Sequence, residues 1–200
     1  EDTPLQALSW PELAGNVRKL ATRLRELGIK PGDRVASYMT NIPEAVTALL
    51  ATSSIGAIWS SCSPDFGTHS VLDRLSQIEP KVLFCVDGYY YKGKAFNRKP
   101  EVQNIIRSLP SIEKVIYLPY MDKSDTVLPV EDAELWSELM AGPAVSATDF
   151  QFEQVPFDHP LWILFSSGTT GLPKAIVHGH GGIIVEQSKL AALHYNLKPD

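Results

Sequence analysis

Arg34-Val35-Ala36-Ser37-Tyr38, Ala57-Ile58-Trp59-Ser60 and Lys81-Val82-Leu83-Phe84-Cys85-Val86 are three short runs of β-forming residues, and helical segments separate them. Ser9-Trp10-Pro11-Glu12 opens the first helix, with Ser9 as cap, Pro11 in the first turn and Glu12 completing a capping box. Leu13, Val17, Leu20, Leu24 and Leu27 then recur at spacings of 4, 3, 4 and 3, the pattern of one buried helical face. Gly28 ends this helix and Lys30-Pro31-Gly32-Asp33 makes a turn. Asn41-Ile42-Pro43-Glu44 starts a second helix, which runs to about Ile55 before Gly56 breaks it. After a loop over Ser63–Gly67, a third helix spans about Ser70 to Ile78, and Pro80 stops it. This alternation predicts an α/β sheet with helices on its faces.

Downstream, Asp87 to Pro100 is polar and aromatic and reads as a loop. Val102–Leu109 is a helix and Lys114–Leu118 a strand. Leu135–Leu139 forms a short helix within the connecting chain from Pro119 to Pro156. Leu161–Phe165 is a strongly apolar strand, Ser166–Lys174 a loop, and Ala175–Val177 a second short strand. Gly181-Gly182 leads into a last helix carrying Ile184, Leu190, Ala191 and Leu193.

Composition narrows the function. At ~150 residues per domain, 200 residues make one large domain, or one plus part of another. The 44% hydrophobic and 20% charged content is that of a globular chain. A net charge of -5 argues against a nucleic-acid partner. Cys62 and Cys85 make neither a disulfide framework nor a zinc site, and they fit a reducing, cytoplasmic compartment. Glu1-Asp2-Thr3-Pro4 is not a signal peptide. The uncharged run from Ala45 to Pro64 holds seven Ser and Thr residues, too many for a membrane span. No membrane partner is expected.

The segment richest in chemistry is Ser166-Ser167-Gly168-Thr169-Thr170-Gly171-Leu172-Pro173-Lys174. Four hydroxyls, two glycines and a lysine sit in nine residues directly after an apolar strand. Glycines let the backbone approach an anion. Successive N–H groups and hydroxyls then ring phosphate oxygens, and the lysine supplies counter-charge. The spacing is not that of a Walker A loop, and no strand–GxGxxG–helix unit occurs. Composition alone also allows a plain Ser/Thr/Gly-rich hairpin turn.

The run from Ile163 to Lys174, with Val177-His178 and Gly181-Gly182, resembles the signature of the acyl-adenylate-forming, AMP-binding ligases. Gly32-Asp33-Arg34-Val35, Pro43-Glu44-Ala45 and Gly56-Ala57 also resemble that family's N-terminal region. Within it, Ile58–Gly67 followed by Val71–Lys81, and Ala175 after the lysine, look like the branch that makes acetoacetyl-CoA. Acetate- and propionate-activating members are the nearest competitors, and a non-catalytic nucleotide-binding relative is the remaining alternative.

The resemblance implies a mostly parallel sheet flanked by helices, forming part of a large N-terminal adenylation domain. Residues 1–200 would be a fragment of it, inactive alone, without the family's mobile C-terminal domain. The implied substrates are acetoacetate, ATP with Mg²⁺, and coenzyme A. Ser166, Ser167, Gly168, Thr169, Thr170 and Gly171 would bind ATP, with Thr169 and Lys174 as catalytic residues and Lys174 neutralising phosphate charge. His178 is a candidate for the nucleotide side, and equally a structural histidine at a strand end. Lys94 is a candidate for coenzyme A, although Tyr91-Lys92-Gly93-Lys94 with Arg98 and Lys99 also reads as a solvated charged loop. Asp65 and Asp73 are not at metal-ligand spacing, so no protein metal site is expected and Mg²⁺ would arrive with ATP.

Overall fold

The computed structural model describes residues 7–167 and 171–198. α1 (Trp10–Glu26) is capped as its sequence predicts: the Ser9 Oγ accepts from the Glu12 N–H at 3.3 Å. It buries Val17, Leu20, Ala21 and Leu24. β1 (Arg34–Tyr38), α2 (Pro43–Ser54), β2 (Ile58–Cys62), α3 (Thr68–Leu75) and β3 (Val82–Val86) follow in alternation. Next come a hairpin of β4 (Gly88–Tyr91) and β5 (Lys94–Asn97), then α4 (Lys99–Ser108), β6 (Lys114–Leu118), β7 (Ala133–Leu135) and α5 (Trp136–Leu139). β8 (Pro160–Ser166), β9 (Lys174–Gly179) and α6 (His180–Lys189) complete the order.

Seven strands form one sheet in the order β7-β6-β3-β1-β2-β8-β9. Every neighbouring pair is parallel except β8 and β9. Alternation along each strand divides the core between the two faces. Val82, Phe84 and Val86 join α1 and α2 on one face. Leu83 and Cys85 join α3 and α4 on the other. All of β3 is therefore buried, as befits a central parallel strand. The expected α/β class with a mostly parallel, helix-flanked sheet is the one observed.

Four expectations need correction. The segment from Asp87 to Pro100 is not a loop but the β4–β5 hairpin and the start of α4. Tyr89 stacks on Phe96 across it at 5.0 Å, and Lys92 and Gly93 turn it with φ +49° and +74°, as a type I′ turn requires. α3 runs from Thr68 to Leu75 rather than from Ser70 to Ile78, and β2 is displaced to Ile58–Cys62. Leu135 closes a short strand beside β6 and the helix begins at Trp136. The last helix lies where one is expected and ends in one π-helical turn, Leu190–His194, and its Ile184 and Leu193 are exposed.

Gly88 shows how tightly the hairpin sits on the sheet. A β-carbon there would lie 2.1 Å from the Phe96 carbonyl oxygen and 2.5 Å from the Met121 methyl. The methionine can move, but the strand backbone cannot. Gly88→Ala is expected to destabilise by about 2 kcal/mol or more, a typical overpacking cost. Gly182→Ala, with nothing within 4 Å, is the neutral control. Urea unfolding of both variants measures the difference, and equal midpoints would contradict the close packing.

Candidate functional site

In open α/β sheets, ligands bind outside the carboxyl ends of the strands. The Ser166–Lys174 loop leaves the carboxyl end of β8, which runs parallel to β2. The strand returns antiparallel as β9, pairing Ser166 with Lys174 and Phe165 with Ala175. Directly paired residues share a face with β-carbons about 5 Å apart. The Ser166 hydroxyl and the Lys174 ammonium thus stand side by side at the mouth of the loop, and both are exposed. Phe165 points the other way, into the core beside α3. The Ser60 Oγ donates to the Ile163 carbonyl at 2.9 Å and fixes β8 to β2.

Ser167 is also exposed. Gly171 has φ +105°, a conformation that side chains rarely adopt. Gly168, Thr169 and Thr170 lie outside the described residues. Among the described residues, Ser166, Ser167 and Lys174 set exposed hydroxyl and ammonium donors side by side at the ends of the two strands. Such an array attracts an anion rather than performing base-assisted nucleophilic chemistry.

His178 lies on the Lys174 face of β9, four residues on, about 13 Å along the strand. Its Nδ1 accepts from the Trp162 indole N–H at 3.1 Å, so the neutral ring carries its proton on Nε2. Burial, and then the neighbouring His159 ring, hold the His180 imidazole below its ordinary value.

The basic cluster divides in two. Arg98 donates to the Pro64 carbonyl at 2.8 Å and to Glu101 at 2.7 Å, and it lies over the Tyr89 ring at 5.3 Å. Lys99 pairs with Asp125 and donates to the Val127 carbonyl at 3.0 Å. Both therefore hold structure. Lys94 stays exposed at the hairpin tip, and Lys92 lies over the Tyr91 ring at 5.4 Å.

Two features were not anticipated from the sequence. A cavity of about 280 Å³ opens at the carboxyl ends of β1 and β2, lined by Thr40, Asn41, Trp59 and Ser63, and the buried Thr40 hydroxyl has no hydrogen-bond partner among the described residues. Thr40-Asn41 follows a buried strand, and that position was the available signal. The second is Asp87, buried at the end of β3, whose carboxylate accepts the backbone N–H groups of Tyr120, Met121 and Asp122. Among the described residues, no group of three or more His, Cys, Asp or Glu side chains comes together that could hold a metal ion. Nor is any helix among them long and apolar enough to cross a membrane.

Burial pushes the Cys62 thiol up to about 11 and the Cys85 thiol higher. It also raises the Tyr38 and Tyr117 phenols. These groups stay neutral in the folded state at pH values where the unfolded chain ionises, so the unfolded state then binds fewer protons. Stability is full below the ordinary thiol value of about 8.5 and falls above it, by up to about 1.4 kcal/mol per pH unit per group. Urea midpoints are expected to be level from pH 7 to 8 and lower at pH 10. Equal midpoints at pH 8 and pH 10 would contradict this.

The AMP-binding enzyme family profile matches residues 3–199. The acetoacetyl-CoA synthetase of Macaca fascicularis is 44% identical over 193 residues, covering 95% of this chain and 29% of the relative. The acetoacetyl-coenzyme A synthetase of Rhizobium meliloti (strain 1021) is 45% identical over 199 residues, covering 99% and 30%. A malonamoyl-CoA synthetase of Penicillium aethiopicum is 39% identical over 202 residues, covering 96% and 27%. The solved structure of acetoacetyl-CoA synthetase from Streptomyces lividans superposes with a TM-score of 0.89 at 50% identity, over 97% of this chain and 29% of that one. The chain thus spans about three tenths of the length of the curated relatives it matches.

Proposed function

The chain belongs to the AMP-binding enzymes, and from that premise we propose that its full-length protein is an acid–thiol ligase that converts acetoacetate to acetoacetyl-CoA. A carboxylate oxygen of acetoacetate attacks the α-phosphorus of ATP, and the bond to pyrophosphate breaks. The coenzyme A sulfur then attacks the acyl carbonyl, and the bond to AMP breaks. The first step gains most from positioning and charge stabilisation, which suits a loop of donors with a lysine.

In this reading the hydroxyls of Ser166, Ser167, Thr169 and Thr170, with the N–H groups of Gly168 and Gly171, hold the β- and γ-phosphates. Thr169 and Lys174 are the catalytic residues, and Lys174 offsets the charge on the departing pyrophosphate. His178 faces the nucleotide side and Lys94 the coenzyme A nucleotide. Mg²⁺ enters with the ATP phosphates. Residues 1–200 form part of the N-terminal adenylation domain and are inactive by themselves. The two free, buried cysteines support a cytoplasmic setting.

The observation that carries the proposal is the 50% identity and 0.89 TM-score to an acetoacetyl-CoA synthetase over nearly the whole chain. The malonamoyl-CoA synthetase relative favours a second reading, malonamate as the acid. Acetoacetate and malonamate both carry a carbonyl β to the carboxylate, so a short acid with that group is the common substrate class. Acid-dependent ATP–pyrophosphate exchange by the full-length protein tests this with acetoacetate, malonamate, acetate, propionate and butyrate. Acetoacetate is expected to be fastest, and an equal rate on acetate would overturn the proposal.

A further inference from the structure

We infer that Gln77 is the positioning residue that braces the phosphate loop against the carboxyl end of α3, setting the direction in which Lys174 leaves the backbone. The inference rests on the ligase reading above and adds a residue to it. Gln77 follows the C-cap of α3, Ser76. Its side-chain amide nitrogen donates to the Asp73 carbonyl at 2.6 Å and to the Pro173 carbonyl at 2.9 Å. An amide nitrogen has two protons, so one is spent on its own helix and the other on the loop.

The acceptor is informative. Proline has no N–H, so the carbonyl is the only hydrogen-bonding group of Pro173. That carbonyl belongs to the peptide plane joining Pro173 to Lys174. Fixing it fixes the start of β9 and the Lys174 α-carbon. Among the described residues, no other side chain hydrogen-bonds to the limb Gly171–Lys174 from outside the hairpin.

The platform behind Gln77 is held firmly. Arg34 of β1 donates to the Ile78 carbonyl at 2.6 Å and to the Glu79 carbonyl at 3.1 Å, and Leu75 is completely buried. Gln77 itself is exposed. A hydrogen bond open to water contributes little to stability, so the geometry it imposes on the loop is the better account of its placement.

The test uses the full-length protein. Gln77→Glu keeps the size of the side chain and removes the donor, whereas Gln77→Lys restores a donor. In acetoacetate-dependent ATP–pyrophosphate exchange, Q77E is expected to raise KM for ATP and the inhibition constant of pyrophosphate about tenfold, with KM for acetoacetate unchanged. Q77K is expected within about threefold of the parent, and the thermal midpoint unmoved. An unchanged KM for ATP in Q77E, an equal loss in Q77K, or a parallel rise in KM for acetoacetate would each overturn the assignment. Failure of the parent to exchange with any acid overturns the ligase reading instead. The brace is then judged by tryptic cleavage after Lys174, expected to be about threefold faster in Q77E because a freed loop opens more often. Equal cleavage rates would overturn it.

Discussion

Lys174→Ala is expected to lower kcat/KM for ATP by about 10²- to 10³-fold in the full-length protein, the range for removing one charge-stabilising donor, while KM for acetoacetate stays within about threefold. Coulomb attraction between unit charges at 4 Å is about 4 kcal/mol at an effective dielectric of 20, which agrees with the upper end of that range. The position of the lysine agrees with that proposal. It is exposed and stands beside Ser166 across the β8–β9 pair. Its attraction should grow as negative charge gathers on the leaving pyrophosphate, so kcat should fall along with ATP affinity. Lys174→Arg should recover only part of the rate, because a planar guanidinium replaces a compact ammonium. ATP–pyrophosphate exchange with each substrate varied in turn is the measurement. A loss shared equally between ATP and acetoacetate would remove Lys174 from the phosphate site.

The strands that make the sheet were legible because burial on both faces leaves a nearly continuous apolar run, as in Val82–Val86 and residues 115–118. The β8–β9 pair was legible because a Ser/Thr/Gly-rich stretch separates two apolar runs. The hairpin at Gly88–Asn97 was not, since its outer face is polar and its order comes from Tyr89 stacking on Phe96 and from close approach at Gly88. Ile184 and Leu193 are apolar yet exposed, so residue type alone does not mark the core. Gln77 and Asp87 carried no local signal. Each acts on backbone more than 30 residues away in sequence, and only the fold brings those partners together.

Asp87→Ala is expected to cost about 4 kcal/mol and to lower Tm by about 10 °C, at 2–4 °C per kcal/mol for a domain of this size. The carboxylate is 3% exposed. One oxygen accepts from the Tyr120 N–H at 2.8 Å and the Met121 N–H at 2.9 Å, and the other from the Asp122 N–H at 3.1 Å. Removing it strands three backbone donors at once, and each buried unsatisfied group costs about 1–3 kcal/mol. Partial access of water to the turn brings the sum toward the lower part of that range. Asp87→Asn retains one acceptor oxygen but turns an N–H₂ toward a backbone donor, so about half the loss is expected. The Asp87 carbonyl also accepts from the Arg98 N–H at 2.6 Å. The same residue thus joins the end of β3, the 120–122 turn and the start of α4. Loosening the turn also frees Met121, which packs against Gly88, so Asp87→Ala and Gly88→Ala should not be additive. Urea unfolding of the two single variants and the double variant measures the coupling. A loss under 1 kcal/mol in Asp87→Ala, or strict additivity, would show that the turn holds without its carboxylate.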